Sequence, residues 1–451
     1  MSVFTKQRRI AELARRSPQM GFTSLAYLLD IAWLREAFQR TRKDGAAGVD
    51  GVTWSEYARN LEVNLQSLLE RAKSGTYRAP PVRRVHIPKA GSATETRPIG
   101  IPTLEDKVLQ RAVVMLLEPI YEQDFDAGSY GFRPKRSAHQ ALEDLWQKTM
   151  DSRGGWILEV DIRKFFDTLD HAHLREFLQL RVRDGVLKRL IGKWLKAGVM
   201  EEGIVSYPEA GSPQGGVISP MLANVFLHYV LDVWFRQEVQ PRLTGRAHLI
   251  RYADDFVILM TCEADARRVT EVLPKRFEKY GLTLHPEKTR LIPFCPPPTK
   301  AKGRGSSRDG SGPGTFDLLG FTHYWGRSRQ GRWVVMRQTA SKRLSRAVQS
   351  IAQWCRENRH RPICEQHSTL SQKVRGHYAY YGITCNGRAL QAFLEAVKRC
   401  WRKWLSRRNR RRDMIWERFN RLLERYPLPR PKIVHSVYTR KRNHVPKNRM
   451  R

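Results

Sequence analysis

The stretch His248-Leu249-Ile250-Arg251-Tyr252-Ala253-Asp254-Asp255-Phe256-Val257-Ile258-Leu259-Met260 constrains the fold of this chain more than any other. Two apolar runs rich in β-formers flank a tight Ala-Asp-Asp corner, the pattern of a short hairpin with buried strands and an exposed tip. One Asp at a turn is ordinary, because its side chain bonds its own backbone. Two adjacent carboxylates between buried strands are costly unless a cation compensates them, and oxygen ligands suit Mg²⁺. Standing alone, the stretch would also fit a plain acidic hairpin turn.

A second strand-like run, Trp156-Ile157-Leu158-Glu159-Val160-Asp161-Ile162, ends in a carboxylate. If the two strands lie side by side, Asp161, Asp254 and Asp255 meet at one end of a sheet. There they could hold two Mg²⁺ ions roughly 3.5–4 Å apart, the arrangement for in-line phosphoryl displacement. Tyr252-Ala253-Asp254-Asp255, with Asp161 upstream, resembles the catalytic core of reverse transcriptases. The neighbouring blocks resemble the group II intron reverse transcriptase/maturase family.

A chain of 451 residues predicts two to four domains, and 41% hydrophobic content is enough for real cores. Lys and Arg number 81 against 44 acidic residues, a net charge of +37 that calls for a polyanionic partner. No apolar run is long enough to span a bilayer, so nucleic acid is favoured over a membrane, and a cytoplasmic, nucleic-acid-associated location is expected. The six cysteines include no Cys-x-x-Cys pair. Cys355, His360, Cys364 and His367 lie near one another, but their spacing fits no usual zinc framework.

From the N-terminus, a basic helix beginning near Lys6 leads into an apolar pattern from Leu25 to Phe38, read as a folded helix. Gly45 to Gly51 is a glycine-rich loop without the Lys-Ser/Thr of a phosphate-binding loop. Arg83 to Lys89 and Arg97 to Pro102 form a hairpin that presents cations; the resemblance makes it the fingers hairpin, with Lys89 and Arg97 on the nucleotide triphosphate. Tyr130-Gly131-Phe132-Arg133-Pro134 resembles the third block. Arg133 is expected on a template strand, being hard to hide in a core, whereas Phe132 suits either packing or stacking.

The aromatic after Asp161, Phe166, would lie under the sugar and exclude a 2′-OH, as the resemblance implies; read alone, it is core. Ser212-Pro213-Gln214-Gly215 resembles the fourth block, with Gln214 beside the nucleotide, and an amphipathic helix is predicted over 221–235. Gly281 to Thr289 resembles the sixth block, in which Lys288 could reach the leaving pyrophosphate. Residues 296–314 read as a flexible insertion. Asp317 to Thr322 resembles the seventh block, a hairpin that steers the primer end.

Beyond Arg337, Leu390, Phe393, Val397, Trp401 and Leu405 recur at helical spacing as a buried stripe. The last 51 residues carry 18 Lys or Arg against 3 acidic residues. Arg407, Arg408, Arg410, Arg411 and Arg412 are its candidate nucleic-acid contacts, and interleaved Trp416, Phe419, Leu422, Leu423 and Tyr426 predict a folded helix. No Cys/His cluster follows, so the family's optional zinc-dependent DNA endonuclease domain is not expected.

The resemblance implies an α+β right-hand polymerase with fingers, an antiparallel palm sheet, a helical thumb and a basic C-terminal region. Its divisions fall at 1–79, 80–335, 336–405 and 406–451. The implied activity is RNA-templated DNA synthesis with two Mg²⁺ ions, for which Mn²⁺ could substitute. The implied partners are an RNA template, a DNA primer or target, deoxynucleoside triphosphates and structured intron RNA. A noncatalytic RNA-binding splicing factor, a free-standing or defence-linked reverse transcriptase and an RNA-dependent RNA polymerase remain alternatives. Phe166 disfavours the last, and the sequence leaves the oligomeric state open.

Overall fold

The computed structural model describes residues 2–88, 96–201, 204–206, 215–297, 314–408 and 414–436, without the side chain of Arg97. The expected insertion at 296–314 lies almost wholly outside the described residues. The chain divides into two compact units, Met1–Ala141 with Leu158–Leu291, and Leu142–Ile157 with Ile292–Arg451.

The first stretch holds α1 (Val3–Arg16), α2 (Ile31–Gln39), α3 (Trp54–Arg59), α4 (Leu61–Ser74), β1 (Val82–Pro88), β2 (Thr96–Ile101) and α5 (Leu104–Asp124). The Leu25–Phe38 pattern is broken rather than one helix: a 3₁₀ turn at Ala26–Leu28 comes first, and α2 starts only where the Asp30 carboxylate accepts from Trp33 N at 2.8 Å. Helix α5 is buried on nearly every side. Helices α1 and α2 pack on it, and Trp33 Nε1 donates to its Ala112 carbonyl at 3.0 Å.

Next come α6 (Ala138–Asp151), β3 (Gly155–Val160), α7 (Phe165–Thr168), α8 (His171–Arg181), α9 (Gly185–Leu195), β4 (Val199–Glu201), β5 (Ile204–Ser206) and α10 (Ser219–Leu227). The helix predicted over 221–235 does not stay α-helical. It passes at His228 into π-helical turns, His228–Val233 and Phe235–Val239. Strands β6 (Ala247–Tyr252) and β7 (Asp255–Met260), helix α11 (Glu263–Glu278) and β8 (Arg290–Phe294) follow.

Two sheets organise these strands, in the orders β2-β1-β4-β5 and β6-β7-β3-β8. In the first, β1 and β2 form the predicted hairpin, with Arg83 opposite Ile101 and Pro88 opposite Thr96; β1 pairs with β4 in parallel. In the second, β6 and β7 are antiparallel from Ala247 opposite Met260 to Tyr252 opposite Asp255. Phe256 to Met260 are all buried, which explains a run of apolar residues without alternation.

The second unit carries β9 (Phe316–Leu318), β10 (Phe321–Arg327) and β11 (Trp333–Thr339), in the order β11-β10-β9. A tight turn at Leu319 and Gly320, with φ of 51° and 82°, joins β9 to β10, so the seventh block is a hairpin. Then come α12 (Ser341–Glu357), α13 (Ile363–Tyr381), α14 (Gly387–Ser406) and α15 (Trp416–Arg425). The stripe predicted on α14 is the core of this unit: Leu390, Val397 and Trp401 are fully buried, and Phe419 of α15 joins them. Trp401 Nε1 donates to Gln366 Oε1 at 3.0 Å, so the buried indole keeps a partner.

Candidate active site

Ala253 and Asp254 form a two-residue turn closed by the Tyr252–Asp255 pair, so that Asp255 opens β7. Ala253 occupies it with φ of 58° although it carries a Cβ, a conformation that costs on the order of 1–3 kcal/mol and must be held by its surroundings. Asp254 is half-buried and Asp255 exposed. Asp161 follows the last residue of β3, the strand bonded to β7.

Backbone bonds tie the sixth block to this strand end: His285 N donates to Asp161 O and Arg163 N to Thr283 O, both at 2.8 Å. A turn from His285 then delivers Lys288, whose Nζ lies 2.7 Å from Asp161 Oδ2. With the lysine side chain 60% exposed, the pair adds at most about 1 kcal/mol to stability. The structure therefore brings Lys288 to Asp161 itself. Among the described residues, no three His, Cys, Asp or Glu side chains are gathered closely enough to share a metal ion.

Phe165 is buried and packs edge-on against Phe226, while Phe166 stays half-buried at its side, the ring centroids 5.3 Å apart. Lys89 and Gln214 lie outside the described residues, as do Arg410, Arg411 and Arg412. Arg97 is placed in β2 by its backbone, opposite Ile87. Next to Gln214, Gly215 has φ of 110° and so little room that a Cβ would sit 2.4 Å from Gly100 O of β2. Arg407 and Arg408 are exposed just beyond α14, with Arg407 over the Trp404 ring at 5.1 Å.

The expectation for Arg133 is corrected. Its side chain is 3% exposed, not on a surface where a template could pass. Its fork donates to both Glu122 oxygens at 2.9 and 3.0 Å and to the carbonyls of Asp126 and Ser129 at 2.6 and 2.7 Å. This near-complete satisfaction is what makes burial of the guanidinium tolerable. Phe132 is the residue left outside, 57% exposed with φ of 55°, its ring 6.5 Å from that of Tyr252.

Sequence reasoning missed the support beneath the turn. Arg251, fully buried, donates from Nε to Asp232 Oδ1 at 2.8 Å and from Nη2 to Asp232 Oδ2 at 2.5 Å. Its Nη1 reaches Asn224 Oδ1 and the Ala253 carbonyl, each at 3.0 Å. Asn224 Nδ2 in turn donates to Gly131 O at 2.7 Å, and a Cβ on Gly131 would sit 2.2 Å from Ala253 N. The π-helical turn at His228–Val233 carries Asp232, and such turns often mark functional positions. The signal was present as a lone cation in an apolar strand and a lone carboxylate in an apolar helix, each affordable only with a partner.

Beside this pair, His228 is held down to about 4 by burial, which outweighs the opposing pull of Asp232 3.9 Å away. Asp106, on α5, is pushed up to about 6 by burial, although the Tyr77 hydroxyl and Trp194 Nε1 donate to it.

Residues 87–323 match the family described as reverse transcriptase (RNA-dependent DNA polymerase). Protein YkfC of Escherichia coli (strain K12) is 38% identical over 294 residues, covering 58% of this chain and 76% of that protein. Group II intron-encoded protein LtrA of Lactococcus lactis subsp. cremoris is 37% identical over 245 residues, 52% of this chain and 40% of LtrA. Nuclear intron maturase 2, mitochondrial, of Arabidopsis thaliana is 28% identical over 228 residues, 42% of this chain and 29% of that protein. The match over more than half of its length places the chain in the reverse transcriptase family, as an RNA-directed DNA polymerase with the α+β fold of a right-hand polymerase.

Proposed function

We propose that the enzyme extends a DNA primer on an RNA template at the Asp254–Asp255 turn and that it serves a group II intron, binding the structured intron RNA and supporting its splicing and mobility. The observation that carries the catalytic part is the adjacency of β3 and β7, one leading into Asp161 and the other opening at Asp255. The intron part rests on the likeness to LtrA and the intron maturases, of which this chain spans less than half. In this reading residues 1–79 are an N-terminal extension with fingers-associated helices, 80–335 fingers and palm, 336–405 the thumb, and 406–451 a basic nucleic-acid-binding region.

The donor set fits a hard divalent cation, since Asp161, Asp254 and Asp255 offer only carboxylate oxygens, and the Lys288 ammonium already balances the charge of Asp161. Asp161 and Asp254 would hold Mg²⁺, two ions in all, with Asp255 supporting them and Mn²⁺ able to substitute. When bound, the metal supplies activation of the primer 3′-OH and neutralisation of the pyrophosphate. Lys288 contacts only Oδ2 of Asp161, so the other carboxylate oxygen would serve as the ligand while the ammonium stays close enough to meet the triphosphate. Phe166, half-open beside buried Phe165, would pack under the deoxyribose and leave no room for a 2′-OH. Lys89, Arg97 and Gln214 would position the incoming nucleotide.

Extension of oligo-dT on poly-rA with dTTP tests the reading. The expected result is templated extension that excess EDTA abolishes. RNA binding without extension under any divalent ion would overturn it in favour of a noncatalytic splicing factor.

A further inference from the structure

A cavity of about 530 Å³ opens between the end of α4 and the helices α8 and α9, and its lining includes none of the residues assigned above to catalysis. Its lining includes Tyr77, Arg78, Arg175, Arg189, Lys193 and Lys196: five cations, and no acidic residue. Positions 189, 193 and 196 fall on one face of α9 and its C-terminal end, and Arg175 comes from α8.

Lys193 is fixed in place, its Nζ bonded to the carbonyls of Gly75 and Tyr77 at 2.6 and 2.5 Å just past the end of α4. The other four, Arg78, Arg175, Arg189 and Lys196, are exposed, and their side chains make no hydrogen bond or ion pair among the described residues. Like charges gathered around one concavity repel each other and raise the local potential, and a polyanion relieves both effects.

The walls also say what part of a polyanion is read. Tyr77 is 1% exposed, and its hydroxyl is committed to Asp106, so its ring offers no open face on which a base could stack. The volume is that of a site for a small ligand, enough for a short piece of one strand and too small for a duplex.

We propose that this cavity binds the phosphodiester backbone of a single RNA strand, independently of base sequence. The proposal deepens the RNA-directed reading and rests on it for the identity of the polyanion.

The test uses the full chain and an oligouridylate. Acetylation of lysines by an amine-reactive reagent, read by mass spectrometry, should slow several-fold at Lys196 when the RNA is bound, and oligoadenylate should protect equally. Millimolar dTTP or inorganic phosphate without RNA should not protect; protection by either one would overturn the strand assignment in favour of a free-anion site. Unchanged acetylation of Lys196 in the RNA complex would overturn the proposal altogether.

A second measurement does not depend on chemical labelling. Each phosphate contact to a single strand contributes about −0.7 to the slope of log K against log[salt]. The variant Arg78→Gln/Arg175→Gln/Arg189→Gln/Lys196→Gln should flatten that slope by about 2–3 units. A variant with the wild-type slope would contradict the assignment, and Lys in place of the three arginines should restore it. Both readouts register binding alone, so they decide the proposal even if the wild-type protein fails to extend a primer.

Discussion

Replacing Arg251 with Met separates two roles that the structure assigns to one side chain. The Arg251 and Asp232 side chains are 0% and 1% exposed, so the single variant leaves a buried carboxylate without its partner. Such a loss costs about 3–5 kcal/mol, a large part of the 5–15 kcal/mol that typically holds a domain together. The double variant Arg251→Met/Asp232→Leu removes both charges. Because buried pairs can be exchanged for apolar residues at little net cost, most of the stability should return. The donor to the Ala253 carbonyl does not return, and the turn that carries Asp254 keeps its unfavourable φ of 58° without that brace. A displacement near 1 Å at the reacting groups can cost about 100-fold in rate. Urea unfolding followed by Trp fluorescence, beside single-turnover primer extension, should show a double variant that is nearly as stable as wild type and still slow by at least about tenfold. Recovery of both stability and rate would refute the reasoning and reduce the pair to core packing.

Phe166→Ala should raise ribonucleotide use relative to deoxynucleotide use by roughly tenfold, since the ring is the bulk proposed beneath the sugar; competition extension with UTP and dTTP reads the ratio, and a fixed ratio would assign Phe166 to packing. His228 is kept neutral by burial among Asp232, Arg251, Asp126 and Arg236, with its pKa lowered to about 4. The unfolded chain takes up that proton below about pH 6.5, so the contribution of His228 is complete above this pH and falls away as the pH drops toward about 4, by about 3 kcal/mol in all. Urea midpoints measured across that window should decline, and His228→Phe should decline less. Trp401→Ala should destabilise the second unit by about 3–5 kcal/mol, from a side chain that is fully buried and bonded to Gln366, and a shift in urea midpoint checks it.

What could be read from the sequence follows from how local each signal is. The β6–β7 hairpin was legible because unbroken apolar runs meeting at an Ala-Asp-Asp corner leave little else for the chain to do. The stripe on α14 was legible because Leu390, Phe393, Val397, Trp401 and Leu405 repeat at the helical period, and all five are buried. Arg133 is buried against expectation because the deciding partner, Glu122, lies on α5, and no local pattern links the two residues. The same holds for Arg251 and Asp232, which meet only once the hairpin and the π-helical turn are folded together. Helix continuity past His228 failed for a related reason, since hydrophobic periodicity does not distinguish α- from π-helical winding in a segment buried nearly throughout. Lys288 reached Asp161 through the backbone bond from His285 to Asp161, a long-range pairing that spacing alone does not contain.

In the proposed mechanism Asp161 and Asp254 carry the chemistry while other residues hold the nucleic acid. Primer extension by Asp161→Asn and by Asp254→Asn, measured alongside RNA affinity on the same preparations, tests it most directly. Extension should be abolished in both variants, and RNA affinity should stay close to wild type. Extension within about tenfold of wild type in either variant, a difference of only ~1.4 kcal/mol in barrier, would contradict it.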